Sequence, residues 1–90
     1  MAVGAIFSAP GVTQAQYDQV LAVVAPGNKL PSGMLYHAGG PSADGWSVIE
    51  VWESQEALDR FFQETLGAAL QQAKIEVQPQ FFQVHNIMES

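Results

Sequence analysis

The chain contains no cysteine, and it has very few basic side chains. The absence of cysteine excludes disulfides, thiolate catalysis and cysteine-ligated metal centres. Only Lys29, Arg60 and Lys74 are positive, against nine acidic residues, and the formal net charge is −6. Because phosphate backbones and anionic lipid surfaces are bound through clustered Lys and Arg, neither nucleic acid nor a membrane is an expected partner.

Long apolar runs are also missing. No stretch is long enough to cross a bilayer, and the amino terminus lacks the charged and apolar regions of a signal peptide. We therefore expect a soluble cytoplasmic protein, with residues 1–90 forming one domain. Apolar residues nevertheless make up 48% of the chain, which is a large share for so small a core. This surplus predicts a second buried surface, most simply an interface between two subunits.

The segment from Gly45 to Leu66 combines two periodicities. Its first half alternates and predicts a strand, with one face formed by Trp46, Val48, Glu50 and Trp52. Its second half has apolar residues at helical spacing, at Leu58, Phe61, Phe62 and Leu66. Ser54 lies between the two halves and is a suitable helix N-cap. This stretch is thus predicted to be a strand that leads directly into a capped helix.

The remaining elements follow from the same patterns. Ala2–Ser8 predicts a strand buried on both faces, in which Gly4 indicates close approach of another group. A helix capped by Thr13 has one apolar face, formed by Tyr17, Val20, Leu21 and Val24, and ends at Pro26-Gly27. Met34–Ala38 predicts the second strand, followed by a turn over residues 39–45. The second helix has a potential break at Gly67, and Gln80–Met88 predicts the last strand, preceded by Pro79.

The element order β-α-β-β-α-β is the ferredoxin-like pattern of the α+β class. Right-handed crossovers place the first and third strands at the centre, which predicts a four-stranded antiparallel sheet of order 4-1-3-2. Both helices then lie on one face of the sheet. The other face, which also carries apolar residues, needs a different cover.

The candidate functional residues are polar or aromatic groups that the pattern places in strands. They are Tyr36, His37, Trp46, Glu50, Trp52, His85 and Asn86. A histidine can transfer protons near neutral pH, so His37 and His85 are candidate bases. Glu50 interrupts an apolar strand, and a buried carboxylate requires a partner, so Glu50 either lies at a rim or pairs with a hydroxyl or a histidine across a dimer. The two histidines and Glu50 do not have the spacing of a known metal motif, so no metal site is expected.

Each of these residues also has a structural interpretation. Trp46 and Trp52 are most often core or interface aromatics, and we expect Trp52 to be mostly buried as packing. Tyr36 can be an interface residue, and His85 can be a hydrogen-bonded structural histidine. Both interpretations of His85 stay open at this stage.

Several parts of the chain together resemble a known group of proteins. They are His37-Ala38-Gly39-Gly40-Pro41, the run from Asp44 to Ser54, Phe61-Phe62 and Val84-His85-Asn86. The chain resembles small proteins of the dimeric α+β barrel superfamily, and within it the group related to antibiotic biosynthesis monooxygenases. The resemblance implies a homodimer in which two sheets pack face to face, with a pocket in each subunit between sheet and helices.

The resemblance also implies an activity. Cofactor-free monooxygenases of this group use the substrate itself to activate dioxygen, and the substrate is an apolar aromatic or polyketide-like compound. His85, His37 and Tyr36 are then the candidate catalytic residues, without a cofactor. Trp46, Glu50, Trp52 and Asn86 are the candidates for substrate binding. The alternative is a non-catalytic, small-ligand-binding or stress-related protein with the same barrel. A titratable group that lines an enclosed cavity would favour the enzyme.

Overall fold

Four antiparallel strands form one sheet in the computed structural model, which describes residues 1–90. The strands are β1 (Val3–Pro10), β2 (Met34–Ser42), β3 (Gly45–Trp52) and β4 (Gln78–Gln83). Their spatial order is β2-β3-β1-β4, with β1 paired to both β3 and β4. The predicted ferredoxin-like topology and the strand order 4-1-3-2 are therefore confirmed.

Helix α1 (Gln14–Val24) begins at the predicted cap, Thr13. The Thr13 hydroxyl accepts from the backbone N–H of Gln16, and the Gln16 side chain accepts from the Thr13 N–H, which makes a reciprocal capping box. The second helical region starts as α2 (Gln55–Phe61), where the Ser54 hydroxyl accepts from the Ala57 N–H. Both helix starts predicted from the sequence are confirmed.

The predicted helix break at Gly67 is wrong. A π-helical turn over Phe62–Leu66 joins α2 to α3 (Gly67–Gln72), and Gly67 has helical backbone angles. The Gly67 N–H donates to the Phe62 carbonyl five residues earlier, and a Cβ on Gly67 would lie 3.0 Å from that oxygen. The missing side chain thus permits a wider turn, and the helix continues.

The outer strands differ from prediction in their lengths. β2 continues through Gly39-Gly40-Pro41 to Ser42, so the predicted turn over residues 39–45 shrinks to its last part. β4 begins before Pro79 and ends at Gln83, five residues short of the predicted end. Because β2 and β4 are edge strands, each tolerates a proline whose missing N–H removes no required sheet hydrogen bond.

The main core lies between the sheet and the helices. It contains Val3, Ala5, Phe7, Met34, Trp52 and Leu58. Trp52 is fully buried, as predicted for a packing residue. Its ring lies 5.2 Å from that of Phe61 on α2.

The opposite face of the sheet has no cover within the chain. Ile6, Tyr36, Ile49 and Phe82 lie on it with 37–54% of their surface exposed. We call this surface the bare face. Gly4 is close-packed there as predicted, since a Cβ on Gly4 would lie 2.2 Å from the Phe82 ring. The prediction that β1 is buried on both faces is wrong for the single chain, because Ile6 is exposed. No helix has the length and apolarity needed to cross a membrane.

Candidate functional site

A cavity of about 190 Å³ lies between the covered face of the sheet and the helices. Most of its wall is apolar and comes from β1, α1, β3 and the helix after the π-helical turn. The polar groups in this wall are few: Tyr17, His37, Trp46 and Glu50, with Asn28 and Lys29 from the loop after α1. A mostly apolar cavity with a small number of polar side chains is the usual form of a small-ligand site.

A β-bulge brings His37 into this cavity. The register of β2 on β3 shifts between Met34, which pairs with Trp52, and Tyr36, which pairs with Val51. Met34 faces the core, so unbroken alternation would place Tyr36 on the covered face and His37 on the bare face. The extra residue of the bulge reverses the alternation, so His37 lies on the covered face and Tyr36 on the bare face.

His37 and Glu50 are directly opposite each other in the β2-β3 pair. His37 Nδ1 lies 2.9 Å from Glu50 Oε2, and the Glu50 residue is only 5% exposed. The second carboxylate oxygen, Oε1, accepts from the indole N–H of Trp52 at 2.9 Å. The buried acid is therefore satisfied by a histidine and a tryptophan of its own chain, which is what makes its burial tolerable.

The hydrogen bonds also assign the tautomer of His37. The Glu50 carboxylate is an acceptor, so Nδ1 of His37 carries the hydrogen and donates to it. In the neutral imidazole Nε2 is then an acceptor, and the Tyr17 hydroxyl donates to it at 2.5 Å. Tyr17, His37, Glu50 and Trp52 thus form one continuous hydrogen-bonded chain, here called the relay.

Tyr17 was missed as a site residue by the sequence reasoning, which assigned it to the apolar stripe of α1. Its ring packs on Trp46 at 5.0 Å and is stacked with His37 at 6.0 Å. Burial raises the pKa of the Tyr17 hydroxyl, and the negative charges of Glu50 and Asp18 raise it further. The only sequence signal was a hydroxyl within a helical stripe that is otherwise apolar.

The predicted residues on β2 and β3 fall in different places. His37, Trp46 and Glu50 line the cavity. Trp46 is 9% exposed, and its buried indole N–H has no hydrogen-bond partner in the protein. Trp52 does not line the cavity and supports Glu50 from the core. Tyr36 lies on the bare face, where 54% of its surface is exposed.

His85 and Asn86 do not lie in a strand, which corrects the prediction that both histidines belong to the sheet. β4 ends at Gln83 because its partner strand β1 begins at Val3, which pairs with Gln83. One further backbone hydrogen bond joins the Val84 N–H to the Ala2 carbonyl, and His85 and Asn86 follow as exposed residues. Neither lines the cavity of its own chain, and their role in a site stays a prediction.

The arrangement of acidic and histidine side chains offers no metal centre. No three His, Cys, Asp or Glu side chains are grouped closely enough to hold an ion together. The relay, by contrast, can accept, donate and hold protons beside an apolar cavity.

The fold is that of the antibiotic biosynthesis monooxygenase-like group. A candidate antibiotic biosynthesis monooxygenase from Chloroflexus aurantiacus superposes with a TM-score of 0.70 at 18% identity, covering 99% of this chain and 98% of that one. A candidate monooxygenase of the same kind from Deinococcus radiodurans gives 0.67 at 11% identity, covering 100% and 98%.

SnoaB from Streptomyces nogalater, a cofactor-independent oxygenase, superposes with a TM-score of 0.63 at 17% identity, covering 99% of this chain and 96% of that one. No protein-family model matches the sequence, and no curated protein matches it. At these identities the comparisons establish the shared fold, and the chemistry has to be argued from the site.

Proposed function

We propose that the protein is a small cofactor-independent monooxygenase that acts on an apolar aromatic compound, with His37 as the final proton acceptor. The observation that carries the proposal is a histidine, paired with a buried carboxylate, in the wall of an apolar cavity. The fold shared with SnoaB, a cofactor-independent oxygenase, supports the same class of reaction.

The chemistry needs only a substrate that can supply electrons once it has lost a proton. An aromatic hydroxyl that loses its proton becomes an electron-rich phenolate, which can pass electrons to dioxygen. In the overall reaction a ring C–H₂ or C–H opposite the hydroxyl becomes a carbonyl. One oxygen atom enters the product and the other leaves as water. Glu50 stabilises the imidazolium that forms at His37, as a buried carboxylate does for a catalytic histidine.

The size of the cavity limits the substrate. A cavity of roughly 150 Å³ holds a benzene molecule, and the cavity here is about 190 Å³. Compounds of one or two rings are therefore the best candidates, and a larger polyketide-like compound would require the helices to move outward.

A second subunit is part of the proposal. The bare face exposes Ile6, Ile49 and Phe82 together, and the helices of the same chain cannot reach it. A second copy that packs sheet against sheet would cover this surface, and a stable interface of this kind buries more than about 1,000 Å² in total. Analytical ultracentrifugation of the wild type at micromolar concentration is expected to give a dimer.

One observation favours a non-catalytic binding protein. Both nitrogens of His37 already have protein partners, so no free lone pair of the imidazole faces the cavity. A carrier or sensor that only holds a small aromatic ligand would need no free base. The two functions differ in whether oxygen is consumed.

α-Naphthol is a suitable probe, because it has two rings and a hydroxyl. Its oxidation to the para-quinone consumes one dioxygen and releases one water. We expect oxygen uptake, followed with an electrode, to match quinone formation one to one. His37→Asn should lower the rate on the order of 100-fold, the lower range for loss of a general base. The same substitution at the second predicted histidine, His85→Asn, measures whether His85 contributes to the rate of oxidation.

Binding of α-naphthol without oxygen uptake would overturn the monooxygenase in favour of the carrier. A His37→Asn variant as active as the wild type, with His85→Asn inactive, would overturn the assignment of His37. Circular dichroism of each variant establishes that the fold is retained.

A further inference from the structure

His37 can reach a ligand only through Tyr17. Its Nδ1 is used by Glu50 and its Nε2 by the Tyr17 hydroxyl. The Tyr17 oxygen, by contrast, donates one hydrogen bond and keeps lone pairs that can accept another. Since Tyr17 lines the cavity, its hydroxyl is the member of the relay that can meet both the ligand and the base.

The position of Tyr17 is built into the fold. The capped helix α1 fixes its backbone, and Trp46 packs against its ring at 5.0 Å. On the opposite side, Gly39 of β2 leaves the space that the hydroxyl occupies, because a Cβ there would lie 2.7 Å from the Tyr17 oxygen. A side chain at position 39 would therefore displace the hydroxyl from His37.

The surroundings of Tyr17 keep its hydroxyl protonated. Burial raises the pKa of Tyr17, and the negative charges of Glu50 on β3 and Asp18 on α1 act in the same direction. The other titratable groups that face the cavity are His37 on β2 and Lys29 in the loop after α1. Tyr17 is thus not a base by itself, and it can take a proton only while it passes its own to His37.

We propose that Tyr17 is a catalytic residue that conducts a proton from the hydroxyl of a small phenol or enol to Nε2 of His37. The ligand's O–H breaks as its proton binds the Tyr17 oxygen, the former Tyr17 O–H breaks, and an N–H forms on His37. The ligand becomes a phenolate or enolate, and His37 becomes an imidazolium. Glu50 is a positioning residue that holds the tautomer and balances the new charge, and Trp52 holds Glu50. This inference rests on the proposed site and defines its substrate class as ligands with an ionisable hydroxyl.

The direct test uses para-nitrophenol, whose phenolate absorbs visible light, in oxygen-free buffer. At a pH where the free probe is mainly protonated, the probe bound to wild-type protein is expected to show the phenolate band. Tyr17→Phe keeps the ring that packs on Trp46 but removes the hydroxyl oxygen through which the proton passes. This variant should still bind the probe, with its ratio of phenolate to phenol lowered at least about tenfold, equivalent to one unit of pKa.

Two further substitutions distinguish proton transfer through Tyr17 from a purely structural effect of its hydroxyl. Gly39→Ala replaces no residue of the relay but displaces the Tyr17 hydroxyl from His37, so it should behave like Tyr17→Phe. Glu50→Gln should shift the appearance of the bound phenolate to higher pH, because a neutral amide stabilises the imidazolium less. The matched control is Glu64→Gln, the same carboxylate-to-amide change on an exposed residue of the π-helical turn outside the relay. It should retain the phenolate band.

Specific outcomes would overturn the proposal. A Tyr17→Phe variant that binds the probe with an undiminished phenolate band excludes conduction through Tyr17, and so does a wild type that binds the probe only in its protonated form. The test does not require oxidation. A wild type that forms the phenolate without consuming oxygen in air contradicts the monooxygenase function and leaves the proton path intact.

Discussion

The two faces of the sheet are built from the same strands, but the helices cover one face and leave the other exposed. On the covered face, Trp46, Glu50 and Trp52 of β3 lie under the helices, and the one charged group among them is fully paired. On the bare face, Ile49 of the same strand lies open, with 43% of its surface exposed. Alternation thus separates the residues of one strand into two sets, and the helices cover only one of them.

The comparison also explains why the polar groups are where they are. A carboxylate under the helices costs free energy unless hydrogen bonds compensate for its lost hydration. The chain provides these bonds through His37 and Trp52. Ile6 and Ile49 on the bare face are apolar and carry no charge, so they need no such hydrogen bonds.

The largest expected effect is at the centre of the covered face. Trp52 is fully buried, so Trp52→Ala should lower the free energy of unfolding by about 3–5 kcal/mol, as large aromatic truncations do. Urea denaturation at one fixed protein concentration measures it. Trp52→Phe retains a six-membered ring and removes the pyrrole part of the indole together with its hydrogen bond to Glu50, for an expected loss of about 1–3 kcal/mol. A Trp52→Ala variant as stable as the wild type would show that this face is not the main core.

A charge at the centre of the bare face should separate the subunits. Ile49→Asp would bury an unpaired carboxylate between two sheets, and the dimer should weaken on the order of 100-fold, or about 2.8 kcal/mol. The fold of each subunit should persist. Gln63→Asp, at an exposed position of the π-helical turn, is the control with the same new charge. Sedimentation that is identical for both variants would contradict an interface on the bare face.

The smallest expected effect is a change in the free energy of unfolding at high pH. The pKa of Tyr17 is raised above its ordinary value of 10.0, mainly by burial, so the folded protein keeps this proton when the unfolded chain has lost it. The contribution of Tyr17 to stability is then constant below about pH 10 and decreases as the pH rises above that value. Tyr17→Phe should remove this decrease. Unfolding free energies of the two proteins that stay parallel from pH 8 to about pH 11 would show that the hydroxyl is not shielded.

Part of the candidate site could be read from the sequence. The carboxylate in the apolar alternation of β3 predicted that Glu50 needs a partner, but the histidine considered was one across a dimer, whereas His37 belongs to the same chain. His37 and Trp46 were also predicted as site residues and do line the cavity. Tyr17 could not be recognised, because a tyrosine at helical spacing has the same pattern whether its hydroxyl is used or only its ring.

The order of the strands, the helix starts at Thr13 and Ser54, and the two faces of β3 were determined by the sequence alone, because they depend on local periodicity, capping and the handedness of crossovers. The tertiary structure decided which β2 residue reaches the cavity, because one bulge after Met34 reverses every later side chain of that strand. It also decided where β4 stops, since a strand pairs only as far as its neighbour extends, and this left His85 outside the sheet. The relay joins residues 13 and 20 positions apart in the chain. No local pattern records the contact between Tyr17 and His37, because it exists only once α1 has packed on the sheet.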